Sequence, residues 1–169
     1  DEKANDLLRI MNEQNMNVDG IIKSNDRITT RKIRIIGNNA QMLRVDTEDT
    51  FDLNDKEYES LMNRINDIID KRNINGIILQ DYNKGVLTKK VIENVIDLAN
   101  KKGIPVGVDP KKKNFLSYRN ATLFKPNLKE LMEGTNINLQ NNSIEEISKA
   151  IDFLQEKLNC KYIMTTLSE

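Results

Sequence analysis

The 169-residue chain balances 26 basic residues against 26 acidic ones, so it offers no net field to recruit nucleic acid or an anionic membrane, and its length suits one domain with a real core. It contains no histidine, which removes His-dependent catalytic triads and His metal sites, and its single cysteine, Cys160, allows neither an internal disulfide nor a thiolate zinc cluster. No apolar run approaches the roughly 20 residues of a membrane span and no secretory apolar segment opens the chain, so composition points to a soluble protein of a reducing, cytoplasmic compartment.

The first segment spaces Ala4, Leu7, Leu8 and Met11 at helical intervals and predicts an amphipathic helix from almost the first residue. VDGIIKS, from Val18 to Ser24, reads as a short strand. ITTRKIRIIGNNAQMLRVDTE then reads as two extended runs joined at Gly37-Asn38-Asn39, residues that tolerate the positive φ of a tight hairpin turn. Ile33, Ile35, Leu43 and Val45 alternate with Arg34 and Arg44, which gives the ribbon an apolar face and a guanidinium face. Such a ribbon is marginal alone and must cover something.

From Leu53 the period changes. Tyr58, Leu61, Met62, Ile65, Ile68 and Ile69 form a helical stripe, and INGIILQ reads as a buried strand. The loop DYNKGVL leads to a helix with Val91, Ile92, Val95, Ile96 and Ala99 on one side, ended by Lys102-Gly103. IPVGV, ATLF and KYIMTT are further strands, one helix starts near Asn127, and Ser143 caps another that buries Ile144, Ile147, Ile151, Leu154 and Leu158. Strand and helix alternate, so the expected class is α/β: a doubly wound, mostly parallel sheet with helices on both faces and a protruding β-hairpin.

Ligands bind at the carboxyl ends of such strands, and the polar clusters of this half fall there. Asp81, Lys84 and Gly85 follow INGIILQ, Asp109 and Lys111 follow IPVGV, Asn127 and Glu130 follow ATLF, and Thr165 and Thr166 close KYIMTT. Lysine ammonium groups suit phosphate oxygens, Gly85 lets backbone approach an anion, and Asp81 and Asp109 can accept from sugar hydroxyls. Asn127 and Glu130, one turn apart, could hold magnesium through its waters, although Asn127 is equally a good helix cap. Lys112 and Lys113 read as solvated surface charge. Neither GxxxxGK[ST] nor GxGxxG occurs, which argues against P-loop kinases and dinucleotide-binding dehydrogenases.

TTRKIRIIGNNAQMLRVDTE, DYNKGVL, DPKKKNFLSYRNATLFKPNLKE and the closing TLSE together resemble ribokinase-like (phosphofructokinase-B type) sugar kinases, most nearly the D-glycero-β-D-manno-heptose-7-phosphate kinases. PNxxE marks the broad superfamily, and the arginine-bearing hairpin with DYNKG and DPK favours the heptose branch. The resemblance implies transfer of phosphate from ATP, with Mg2+, to the anomeric oxygen of heptose 7-phosphate, giving the 1,7-bisphosphate used for ADP-heptose and the lipopolysaccharide inner core. It places Asp109 and Lys111 beside the sugar phosphate with Lys84 near phosphate as well, Asn127 and Glu130 near magnesium and the ATP phosphates, Thr166 near the nucleotide, and Arg34, Gln41 and Arg44 on a lid that also pairs two subunits into a homodimer.

The resemblance also implies that the 169 residues are the central part of one kinase domain, with a lid hairpin over about 27–47 and an α/β part over about 53–169. The opening strand and the GAGD region, which holds the general-base Asp, are absent from this sequence, so no catalytic residue is expected within the chain and the chain alone is expected to be inactive. Two other readings stay open: a ribokinase-like kinase for another sugar, and a non-catalytic dimerising or ligand-binding module.

Overall fold

The computed structural model describes residues 1–137 and 143–167, and the chain divides into two compact units, Asp1–Asp70 and Lys71–Glu169. Ser168 and Glu169 of the closing TLSE lie outside the described residues.

The first unit opens with helix α1 (Glu2–Glu13), whose cap is Asp1: its carboxylate accepts the Ala4 N–H at 2.9 Å. Strands β1 (Arg31–Gly37) and β2 (Ala40–Thr47) form an antiparallel hairpin, and helix α2 (Asp55–Lys71) follows with the expected stripe half-buried. The hairpin turn uses only Asn38 (φ 51°) and Asn39 (φ 58°), while Gly37 ends β1 paired to Ala40. Among the described residues every non-glycine with positive φ is an asparagine, the side chain that best tolerates that region after glycine.

One expectation fails here. Residues 18–24 form no strand. Asn17 accepts the Asp19 N–H at 2.9 Å in an Asx turn, and Ile21 donates to the Val18 carbonyl at 3.0 Å, so local turns satisfy backbone groups that a strand would offer to a neighbour.

Helix α2 begins with a reciprocal capping box. Asn54 Oδ1 accepts the Glu57 N–H at 3.0 Å, and Glu57 Oε2 accepts the Asn54 N–H at 3.0 Å. The remaining Glu57 oxygen accepts the Ser24 hydroxyl at 2.6 Å, which fastens the segment before the hairpin to the start of α2.

The second unit is a four-stranded parallel sheet in the order β3 (Ile77–Gln80), β4 (Val106–Asp109), β5 (Leu123–Phe124), β6 (Tyr162–Ile163). Helix α3 (Lys89–Lys101) connects β3 to β4, a 3₁₀ helix (Lys112–Ser117) lies between β4 and β5, and helices α4 (Leu128–Thr135) and α5 (Ile144–Leu158) lead to β6. Thr88 caps α3 and Ser143 caps α5. Leu79, Val108 and Phe124 lie across from one another on one sheet face and are buried with Val91, Ile92, Val95, Ile96 and Ala99 of α3 and Ile147, Leu154 and Leu158 of α5. The strands begin later than their apolar runs, at Ile77, Val106, Leu123 and Tyr162, while β3, β4 and β5 run on to the residues that precede the loops of the site. Among the described residues no helix is long and apolar enough to cross a membrane.

Candidate functional site

The carboxyl ends of β3, β4, β5 and β6 form one polar rim. At β4, Asp109 accepts from Lys125 Nζ at 3.2 Å through one oxygen and from the Gln80 side-chain amide at 3.3 Å through the other. Lys111, two residues on, is extended and half-buried, and its ammonium donates to Glu130 Oε1 at the start of α4. The two ion pairs cross: a lysine after β4 reaches the helix after β5, and a lysine after β5 reaches the end of β4. The Lys111 ammonium is held above its ordinary value first by the Glu130 hydrogen bond, against partial desolvation, with the charges of Glu130, Asp109 and Asp81 adding to the effect.

At β5, Asn127 caps α4. Its side-chain oxygen accepts the Glu130 N–H at 2.8 Å, and Glu130 Oε2 accepts the Asn127 N–H at 2.9 Å. Capping and rim position coincide, as the sequence allowed. Thr166 is brought beside them by backbone pairing: its N–H donates to the Pro126 carbonyl at 3.2 Å, and Leu128 donates to the Thr166 carbonyl at 3.1 Å. Thr165 Oγ1, one residue earlier, is buried without a hydrogen-bond partner.

At β3, Asp81 is buried, with one oxygen accepting the Asn83 N–H at 2.7 Å and the other the Tyr118 hydroxyl at 2.9 Å. Burial pushes the Tyr118 phenol well above its ordinary value, and the Asp81 charge beside it pushes further the same way. Asn83 (φ 53°) and Gly85 (φ 78°) shape the loop that carries half-buried Lys84. Lys112 and Lys113 are exposed on the 3₁₀ helix.

In the first unit, Arg34 lies directly across from Arg44, and Ile36 across from Gln41. In a regular strand Gln41 and Arg44, three residues apart, would point to opposite faces. A register shift at Ile35/Ile36 returns Gln41 to the arginine face. The like charges of the arginine pair are offset by Asp46, which receives Arg44 Nε at 3.1 Å and Lys32 Nζ at 3.2 Å.

Sequence reasoning missed Lys125 and Tyr118 as parts of the rim. Lys125 follows β5 as Lys111 follows β4, and that parallel was the available signal. Tyr118 had none, because its partner lies 37 residues away in the chain.

Comparison with known proteins gives a family. The pfkB family carbohydrate kinase profile matches residues 1–169. The chain is 34% identical over its full length to the bifunctional protein HldE of Aliarcobacter butzleri, covering 35% of that protein, and 35% identical to the HldE proteins of Wolinella succinogenes and Helicobacter pylori strain G27, covering 35% and 36% of them. It therefore spans about a third of the length of the curated relatives it matches. Among solved structures it is similar to phosphofructokinase-2 from Escherichia coli in complex with potassium (TM-score 0.72, 19% identity, 96% of this chain and 52% of that one). It is also similar to the tetrameric inhibited form of that enzyme (TM-score 0.71, 19% identity, 96% and 52%). These structural likenesses establish the ribokinase-like fold. The chain belongs to the pfkB family of carbohydrate kinases.

Proposed function

We propose that this pfkB-family chain serves a kinase that phosphorylates D-glycero-β-D-manno-heptose 7-phosphate at its anomeric oxygen, using ATP and Mg2+, to give the 1,7-bisphosphate for ADP-heptose and lipopolysaccharide inner-core synthesis in the bacterial cytoplasm. The carrying observation is the convergence of Lys111, Asp109, Glu130, Asn127 and Thr166 at one rim, in the motif order that the heptose kinases share. Similarity along the whole of this chain to about a third of the HldE proteins supports the choice of sugar.

In this reading Lys111 and Lys84 meet the sugar phosphate as point charges and Asp109 accepts from a sugar hydroxyl. Thr166 lies at the nucleotide. Asn127 and Glu130 would hold magnesium through its waters, since their oxygens already accept within the helix cap and from Lys111, and the cation would supply neutralisation of phosphate charge. Lys111 and Glu130 neutralise each other before ligands enter, so phosphate would replace Glu130 as the partner of Lys111. Asp81 has both oxygens engaged within the fold and so acts from beneath the loop. The hairpin is the lid, with Arg34, Gln41 and Arg44 toward the sugar and Ile33, Ile35, Leu43 and Val45 toward a second subunit.

The test is steady-state turnover of the kinase containing this chain on a panel of phosphorylated and free sugars. Preference for heptose 7-phosphate supports the reading. The E. coli phosphofructokinase-2 likeness makes another ribokinase-like sugar kinase the second reading, and a preference for fructose 6-phosphate would select it.

A further inference from the structure

Two side-chain bonds tie the loop after β3 to the segment after β4. Tyr118, fully buried, donates its hydroxyl to Asp81 Oδ2 at 2.9 Å, and Asn114 donates its side-chain amide to the Leu87 carbonyl at 2.7 Å. The other Asp81 oxygen closes an Asx turn on the Asn83 N–H at 2.7 Å. One carboxylate thus joins a turn in one loop to a tyrosine on the next crossover. Burying it is tolerable because each oxygen receives a donor, and removing either donor leaves a buried acceptor unmet.

The tyrosine is itself anchored. Its ring lies 6.0 Å from Phe124 of β5, and Phe115 meets Phe124 edge-on at 5.1 Å. Phe115 also lies against Gly134 of α4, where an added Cβ would fall 2.2 Å from its ring. The aromatic cluster therefore holds the 3₁₀ helix, which starts beside Lys111, between the 81–88 loop and the helix that carries Glu130.

We infer that Tyr118 is a positioning residue for the phosphate-handling rim: acting through Asp81, it fixes the Asn83–Gly85 turn and so sets where Lys84 stands relative to Lys111. This rests on the proposed kinase reading for its kinetic consequence. Its structural consequence stands apart from any substrate.

Tyr118→Phe removes one oxygen and keeps the ring. In the kinase containing this chain, hydrogen exchange at the Asn83 amide should accelerate by about tenfold, because the Asp81 carboxylate that accepts it loses the tyrosine hydroxyl that holds it in place. The KM for the phosphorylated sugar should rise by about tenfold with kcat within about twofold, since ground-state and transition-state binding weaken together. The nucleotide KM should not move, because Asn127 and Thr166 stand on other loops. Asp81→Asn can still accept from Asn83 and donate to the Tyr118 oxygen, so it should keep Asn83 exchange near wild type, whereas Asp81→Ala should not. Phe115→Leu loosens the same cluster without touching Asp81 and should leave the exchange of Asn83 alone. Unchanged exchange in Tyr118→Phe, or the same exchange and KM pattern in Phe115→Leu, would overturn the inference and leave Tyr118 as core. If the wild type turned over no sugar, the functional reading would fall, and the exchange comparison would still decide the latch.

Discussion

Lys111 donates to Glu130 across the ends of β4 and β5, and the same carboxylate holds the N–H of Asn127 through its second oxygen, at 2.9 Å. Of the three consecutive lysines, only Lys111 is half-buried; Lys112 and Lys113 are exposed. Lys111→Ala should therefore raise the KM for the phosphorylated sugar by about tenfold, the loss of one charge-assisted hydrogen bond, while Lys112→Ala should change it by less than about twofold. Steady-state kinetics on both variants decides, and equal small effects would return the whole run to surface charge.

The Lys111 ammonium is held above its ordinary value of 10.5 by the Glu130 carboxylate, so while that carboxylate is charged the lysine's contribution to stability is fully present below 10.5 and is lost as pH rises through the raised value. Loss of activity at neutral to mildly alkaline pH should not trace to this lysine.

Gly134→Ala sets two effects against each other. Helix propensity favours alanine by about 1 kcal/mol, yet the added Cβ would lie 2.2 Å from the ring of buried Phe115. Overpacking of this kind costs about 1–3 kcal/mol, so the thermal midpoint should fall. A rise would mean that the Phe115 ring moves aside without penalty and that the aromatic cluster is looser than described.

The hairpin exposes Ile33 50%, Ile35 48%, Leu43 52% and Val45 43% on one face. On the proposed reading of the hairpin as lid and subunit contact, changing Ile35 and Val45 together to Asp should convert a dimer of the kinase to a monomer in sedimentation and weaken sugar binding. A double variant that stays dimeric would place the subunit contact elsewhere.

Glu57 is held below the ordinary carboxyl value of 4.5, first by the Ser24 hydroxyl, with burial opposing and the Asn54 N–H and Arg27 charge assisting. Its folded value lies under its unfolded one, so its stabilisation is present above 4.5 and is lost as pH falls through the lowered value. Glu57→Gln should flatten the loss of urea resistance between about pH 5 and about pH 3, and a wild-type-like slope in the variant would assign acid sensitivity to other carboxylates.

The helices were legible because burial acts on one face, although Ile144, expected inward, stands 81% exposed at the first residue of α5, before the helix meets the core. The stripes of Tyr58 to Ile69 and Val91 to Ala99 are the buried or half-buried faces of α2 and α3, and Asn38-Asn39 announced the hairpin by its turn chemistry. Residues 18–24 misled because an apolar run signals a strand only where a partner exists, and here an Asx turn claims the backbone first. The rim's members on β4, β5 and β6 were legible from topology, since parallel strands deliver their following residues to one edge. Their partners were not: no periodicity links Asp81 to Tyr118 or Lys125 to Asp109, and only the fold sets those distances. Likewise Gln41 reaches the arginine face through a register shift that strict alternation hides.

The most direct measurement of the central claim is phosphorus NMR of the product formed by the kinase containing this chain with Mg-ATP and D-glycero-β-D-manno-heptose 7-phosphate. The account predicts a new phosphate at the anomeric carbon beside the retained one, formed at a rate that Lys111→Ala lowers at subsaturating sugar. Absence of that resonance, with efficient turnover of a different sugar under the same conditions, would contradict it.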